Sequence, residues 1–156
     1  IIDQPIARER WAGRIGEQTT LNGKPVRTRA CAMLEGASLA TSSPHYFSAG
    51  EAEDYMRLAA AVAGNVRQAP IVYGGDCYNY GLLAAGHIDV ICEAGLALHD
   101  YAALVPVVEG AGGLMCDWQG NPLDAQSATA EGGRVLALGD PARLDDVLEA
   151  LSGSGG

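Results

Sequence analysis

The sequence predicts an α/β fold: a layered, mostly parallel sheet with flanking helices, preceded by antiparallel strands. Three observations predict it. From Ser38 onward, short apolar runs alternate with helix-patterned stretches, as in a parallel sheet with crossover helices. From Ile1 to about Arg29, large and small residues alternate ahead of an Asn22-Gly23 pair, a hairpin signal. The chain holds 21 glycines in 156 residues without a period, about twice the usual share of roughly 7%, which marks turns and close packing rather than a fibre.

The elements follow in order. Ile1 to Ile6 reads as a strand and Arg10 to Ile15 as a second. An isolated pair of strands is marginal in water, so these need partners. Ser38 to Thr41 is a strand closed by the turn cluster Ser42-Ser43-Pro44. Ala52 to Ala63 is a helix with Tyr55, Met56, Ala59, Ala60 and Ala63 on one face, ended by Gly64-Asn65. Pro70 to Tyr73 is a strand leading into Gly74-Gly75-Asp76. Cys77 to Ala85 is a helix stopped by Gly86, and Ile88 to Cys92 is a buried strand. Asp100 starts a helix whose apolar face is Leu104, Val107, Val108 and Ala111. Leu114 to Trp118 is a strand, followed by a turn over Gln119 to Pro122. Arg134 to Leu138 is a further strand. Asp140-Pro141 opens the last helix as an N-cap followed by proline. Residues 152–156 form a flexible tail, so the domain proper is 37–151, with 1–36 as the preceding strands.

Composition narrows the function. The chain carries 10 basic and 19 acidic side chains, a net charge of −9. This argues against nucleic acid or an anionic membrane as partner. It also requires bound cations before a phosphorylated substrate is accepted. Its length suits one domain with a real core. No apolar run reaches the roughly 18 residues of a membrane span, and no signal peptide is visible. The four cysteines, Cys31, Cys77, Cys92 and Cys116, lack zinc spacing and read as buried reduced thiols of a cytoplasmic protein.

Candidate chemistry sits at strand ends. Ligands of α/β sheets bind outside the carboxyl ends of strands. Glu93 ends a strand there, and Asp76 and Asp100 stand at helix starts. By residue type each aspartate reads first as an N-cap; the same carboxylate can also offer its second oxygen to a hard cation. Three such carboxylates converging on one sheet edge would favour a site. Glu109 to Gly113 reads as a helix end. His45 and His87 are lone, and His99 precedes Asp100. No nucleophile elbow of the G-x-S-x-G kind is present.

Several segments carry a family resemblance. Gly74-Gly75-Asp76-Cys77-Tyr78, Glu93-Ala94-Gly95, His99-Asp100-Tyr101-Ala102-Ala103-Leu104 and Glu109-Gly110-Ala111-Gly112-Gly113 resemble the carboxyl-terminal half of the inositol monophosphatase family. These are magnesium-dependent, lithium-sensitive phosphomonoesterases of αβαβα sandwich fold. The Gly-Gly-Asp-Cys-Tyr and Leu-Val-Pro-Val-Val-Glu-Gly-Ala-Gly-Gly segments look most like the histidinol-phosphatase branch. The resemblance implies that residues 1–36 belong to the family's N-terminal α+β sheet. It implies Asp100 as a Mg2+ ligand. It implies Gly74, Gly75, Asp76, Glu93 and His99 as the substrate-binding set. His99 stands where the family carries an aromatic residue, and Asp76 where inositol phosphatases carry a small apolar one. A second carboxylate beside Glu93 suits a cationic alcohol.

The family's first metal motif, Asp-Pro-x-Asp-Gly-Thr, is not in this sequence. The expectation is therefore the carboxyl-terminal half of an L-histidinol-phosphate phosphatase, inactive by itself. Its partners would be a phosphorylated amino alcohol and either a second copy or the missing half. An inositol, sugar or nucleotide phosphate is the alternative substrate. A non-catalytic fragment that acts by association is the third reading.

Overall fold

A computed structural model describes residues 1–64, 70–124 and 132–153. Four short strands open the chain: β1 (Ile2–Gln4), β2 (Glu9–Ala12), β3 (Thr20–Leu21) and β4 (Lys24–Pro25). They form one antiparallel sheet in sequence order, with Ile2 opposite Trp11 and Trp11 opposite Leu21. The Asn22-Gly23 turn joins β3 to β4, both residues in the left-handed region, as such a hairpin requires.

The second sheet contains β5 (Leu39–Thr41), β6 (Ile71–Tyr73), β7 (Val90–Glu93), β8 (Leu114–Cys116) and β9 (Val135–Leu138). Its order is β6-β5-β7-β9-β8. β5 runs parallel to β6 and β7, while β9 is antiparallel to β7 and β8. Four strands thus share a direction, and the sheet is mixed but mostly parallel, as expected. The strands are shorter than the apolar runs of the sequence suggest.

Helices α1 (Ala49–Ala63), α2 (Asp76–Ala84), α3 (Leu98–Tyr101), α4 (Val105–Glu109) and α5 (Leu144–Ser152) cover the sheets. The central strands are apolar on both faces. Val90 and Cys92 face a core with Tyr55, Leu58 and Val62 of α1 and Val147 and Leu151 of α5. Ile91 faces the opposite core with Tyr80 and Leu83 of α2 and Val107 of α4. That second core also takes Ile2 and Trp11 from the four-stranded sheet. Gly81 of α2 is what lets Trp11 approach: a Cβ there would lie 2.8 Å from the indole. A salt bridge adds a second tie, because Arg29 holds the buried Asp89 ahead of β7 through Nε at 2.6 Å and Nη2 at 2.5 Å.

Several expectations need correction. The buried face of α1 is Tyr55, Leu58, Ala59 and Val62, whereas Met56 and Ala60 are exposed. Alanines on both sides of that helix give the apolar pattern two readings. A capping box of Ser48 and Glu51 starts α1 at Ala49, three residues before the expected Ala52. Asp100 lies inside α3, and α3 and α4 are two short helices rather than one. The predicted apolar face nevertheless holds: Leu104, Val107, Val108 and Ala111 are all buried. Asp140 does cap, but a 3-10 turn over Pro141–Arg143 precedes α5. Ser152 is helical. The rest of the expected tail, 154–156, and Asn65 lie outside the described residues. All four cysteines are free, but only Cys92 and Cys116 are buried, and Cys77 is exposed on the first turn of α2. Among the described residues, no helix is long and apolar enough to cross a membrane.

Candidate active site

The parallel strands β5, β6 and β7 end on one side of the sheet, and the site is built there. Glu93 closes β7 and is 2% exposed. A buried carboxylate needs donors, and the end of β5 supplies them. Ser42 donates to Glu93 Oε1 from its backbone N–H at 2.7 Å and from its hydroxyl at 2.9 Å. Thr41 Oγ1 donates to Oε2 at 3.2 Å. Burial is the largest influence on the Glu93 carboxyl and lifts it above the usual carboxylate range. The Ser42 and Thr41 donors pull it part of the way back, and the charge of Asp76 adds to the rise.

Asp76 reaches this group through an unusual turn. Gly74, Gly75 and Asp76 have φ of +82°, +96° and +41°. Glycine accepts this conformation without cost, whereas an aspartate in it is strained. The turn is fixed at both ends. Gly74 N–H donates to the Thr41 and Ser42 carbonyls, at 3.0 and 2.9 Å. Asn79 Nδ2 donates to Gly74 O at 2.7 Å. A Cβ on Gly75 would lie 2.5 Å from Asn79 Oδ1. Asp76 is the first residue of α2, with Gly75 at the cap position, and no side-chain cap bond forms. Asp76 Oδ1 instead lies 3.3 Å from the Ser42 hydroxyl oxygen, whose one proton is given to the nearer Glu93. One serine hydroxyl therefore stands between Asp76 and Glu93.

Asp100 is placed differently. It sits in the first turn of α3, and its Oδ2 accepts the Ala97 N–H at 2.8 Å. The cap reading of Asp100 survives in this reversed form, with the bond running back from inside the helix. Its Oδ1 is 3.6 Å from His99 Nε2, and the His99 side chain is 85% exposed. Among the described residues the Ser42 hydroxyl stands between Asp76 and Glu93, whereas Asp100 shares no hydrogen-bond partner with either; the charges of Glu93 and Asp100 both bear on Tyr80.

A magnesium ion takes near-octahedral oxygen ligands. Asp100 offers one oxygen, and among the described residues no group of three or more His, Cys, Asp or Glu could hold a metal. The described residues alone do not fit the ion.

Sequence reasoning missed Thr41, Ser42 and Tyr80. The Tyr80 hydroxyl is buried without a hydrogen-bond partner among the described residues. Beyond burial itself, the charges of Glu93 and Asp100 both bear on it. Tyr80 is four residues after Asp76, hence on the same face of α2. Ser42 follows a strand end, the very position that singled out Glu93.

Comparison with known proteins bears on the fold and the family. The inositol monophosphatase family profile matches residues 1–150. The chain is 44% identical over 154 residues to the "Bifunctional phosphatase IMPL2, chloroplastic" of Arabidopsis thaliana, covering 97% of this chain and 43% of that protein. It is 28% identical over 124 residues to the "Histidinol-phosphatase" of Chlorobaculum parvum, covering 77% of this chain and 44% of that protein. An inositol monophosphatase structure from Zymomonas mobilis superposes with a TM-score of 0.86 at 43% identity, covering 97% of this chain and 56% of that one. The chain thus spans less than half the length of the curated relatives it matches. The chain belongs to the inositol monophosphatase family.

Proposed function

We propose that this chain carries the alcohol-binding part of a metal-dependent phosphomonoesterase acting on a small phosphorylated alcohol, with an inositol phosphate as the favoured substrate. Members of this family are generally Mg2+-dependent. The observation that carries the reading is Glu93, a buried carboxylate at a parallel strand end, held in place by Ser42 and Thr41. A carboxylate so placed accepts hydroxyl donors from a ligand. The likeness to the Zymomonas mobilis inositol monophosphatase supports the choice of inositol. In this reading Gly74 and Gly75 bring backbone close to the substrate. Asp100, with His99 beside it, offers one oxygen to Mg2+. The other metal ligands belong to a segment bearing Asp-Pro-x-Asp-Gly-Thr, whether joined to this chain or supplied by a partner.

A second substrate, L-histidinol phosphate, is favoured by the pair of carboxylates on Ser42. Two negative groups side by side suit an ammonium better than neutral hydroxyls. The measurement is phosphate release in Mg2+ from both substrates, with and without a family segment bearing the upstream motif, for wild type and Asp76→Ala. The inositol reading expects release from myo-inositol 1-phosphate and little change in the variant. A loss confined to L-histidinol phosphate selects the second reading. No release from either substrate in the presence of the motif leaves only the associating fragment and rejects the proposal.

A further inference from the structure

Glu93 and Asp100 stand on one stretch of chain, so the shape of residues 94–99 sets the distance between them. The ladder between β7 and β9 ends with Glu93 opposite Val135. Beyond it the two chains stay joined by two main-chain bonds. Gly95 N–H donates to the Gly132 carbonyl at 2.9 Å, and Leu96 N–H to the Gly133 carbonyl at 3.1 Å. Gly132 and Gly133 are both left-handed, with φ of +64°, and a Cβ on Gly133 would collide with Leu96 O. Only glycine lets the two chains pass this close.

Arg134 follows this bridge directly, and its side chain is anchored on α1. Its Nε donates to Glu51 Oε1 at 2.9 Å, and the two side chains are 33% and 11% exposed. Its guanidinium stands 5.8 Å from the ring centroid of Trp118. Glu51 is itself fixed, because its Oε2 accepts the Ser48 N–H at 2.9 Å and the Ser48 hydroxyl at 2.7 Å in the capping box of α1. A surface ion pair is worth little, but this one is mostly covered, rests on an aromatic face and is tied to a helix cap, so its geometry is held. The groups at either end of the stretch are placed by other bonds. Ser42 and Thr41 hold the Glu93 carboxylate from the end of β5, and Asp100 accepts from Ala97 within its own turn.

We propose that Arg134, anchored by Glu51, is a positioning residue for the phosphatase reaction: it clamps Gly132 and Gly133 against Gly95 and Leu96 and so sets how far the Asp100 turn stands from Glu93. The inference rests on the phosphomonoesterase reading above. In that reading Glu93 meets the alcohol, and the Asp100 turn serves the phosphate end of the same molecule. The ester joins the two ends, so the substrate fixes a spacing that the protein must match. A misplacement of about 1 Å can cost on the order of 100-fold in rate. Binding of the alcohol alone uses one of the two points and does not sense the spacing.

The test begins on the full chain without metal. Amide hydrogen exchange reads the bridge at Gly95 and Leu96, with the amides of Val90, Ile91 and Cys92 in β7 as the reference. Arg134→Gln keeps a polar side chain without the ion pair. It is expected to lower protection at Gly95 and Leu96 by about tenfold and to leave the reference unchanged. Glu51→Gln should act the same way, and the double variant should add little to either, because both break one contact. The kinetic readout adds the segment bearing Asp-Pro-x-Asp-Gly-Thr, with myo-inositol 1-phosphate as substrate. There kcat should fall by about tenfold in Arg134→Gln and largely recover in Arg134→Lys, while the Kd for myo-inositol stays within about twofold of wild type. A role in stability alone would lower Tm and leave kcat below the transition unmoved. Unchanged exchange in Arg134→Gln, a loss of protection shared equally by β7, or lowered exchange with unchanged kcat overturns the proposal and leaves the phosphatase reading standing. Absence of turnover by wild type beside the segment rejects that reading and the positioning role with it.

Discussion

Ser42 donates twice to the same oxygen of Glu93, from its backbone N–H at 2.7 Å and its hydroxyl at 2.9 Å. This pins the loop after β5 to the last residue of β7. The carboxylate that would contact a ligand is also what orders its own surroundings.

Replacing that carboxylate should therefore separate function from stability. Burial lifts the Glu93 carboxyl above the usual range. A carboxyl raised in the folded state contributes stability that is complete below its unfolded pKa and is lost as pH rises through the folded value. Glu93→Gln removes that loss. The variant should gain on wild type as pH rises from acid to mildly alkaline, by roughly 1.4 kcal/mol for each tenfold by which folding weakens the acid. Urea unfolding at both ends of that range checks this. A growing wild-type advantage at alkaline pH would contradict it.

Asp89 should show the opposite sign. Burial alone would raise its carboxyl, but the Arg29 hydrogen bond, the Ser38 N–H and the Arg29 charge together hold it below the usual range. Such a group contributes stability above its unfolded pKa, and that contribution is lost as pH falls through the folded value. Asp89→Asn should cost about 1–3 kcal/mol near neutrality, because a charge-assisted bond is lost beside a half-exposed arginine. The gap between variant and wild type should close in strong acid. Equal stability of the two near neutrality would count against the role of this pair.

Gly81→Ala tests the joint between the two sheets. Alanine in a helix ordinarily gains about 1 kcal/mol over glycine. Here its Cβ would meet the Trp11 indole at 2.8 Å, and overpacking of this kind costs about 1–3 kcal/mol. Thermal unfolding should show a lower Tm with an altered Trp11 near-ultraviolet signal. A raised Tm would mean that the close packing is absent.

Asp100→Asn tests the metal assignment without disturbing α3. Asparagine keeps an oxygen for the Ala97 N–H, so the turn should persist. In the presence of a segment bearing Asp-Pro-x-Asp-Gly-Thr, and with Mn2+ as a paramagnetic stand-in for Mg2+, line broadening around His99 and position 100 should be present in wild type and strongly reduced in the variant. Unchanged broadening would remove Asp100 from the metal site.

Much of the fold is legible in the sequence, for local reasons. The alternation of short strands and helices foretells the mostly parallel sheet. The strand-end rule points to Gly74, Gly75, Asp76 and Glu93, because ligands of α/β sheets bind outside the carboxyl ends of strands. The register of α1 is ambiguous because alanine fits either face. The position of Asp100 inside α3 escapes residue type because its capping bond runs backward to Ala97. Ser42 reads as turn punctuation, the commonest role of Ser-Ser-Pro. Its partner is 51 residues away, and only the parallel pairing of β5 with β7 brings them together. Tyr80 looks like one more core aromatic because its unpaired hydroxyl is a property of the packed interior.

The most direct test of the account is Mg2+-dependent phosphate release from myo-inositol 1-phosphate by these residues together with a segment bearing Asp-Pro-x-Asp-Gly-Thr. The account predicts turnover that requires the segment and that falls in kcat/KM by about 100-fold in Glu93→Gln, the size of losing a buried ligand contact. Full turnover by the 156 residues alone, or an unaffected Glu93→Gln, would contradict it.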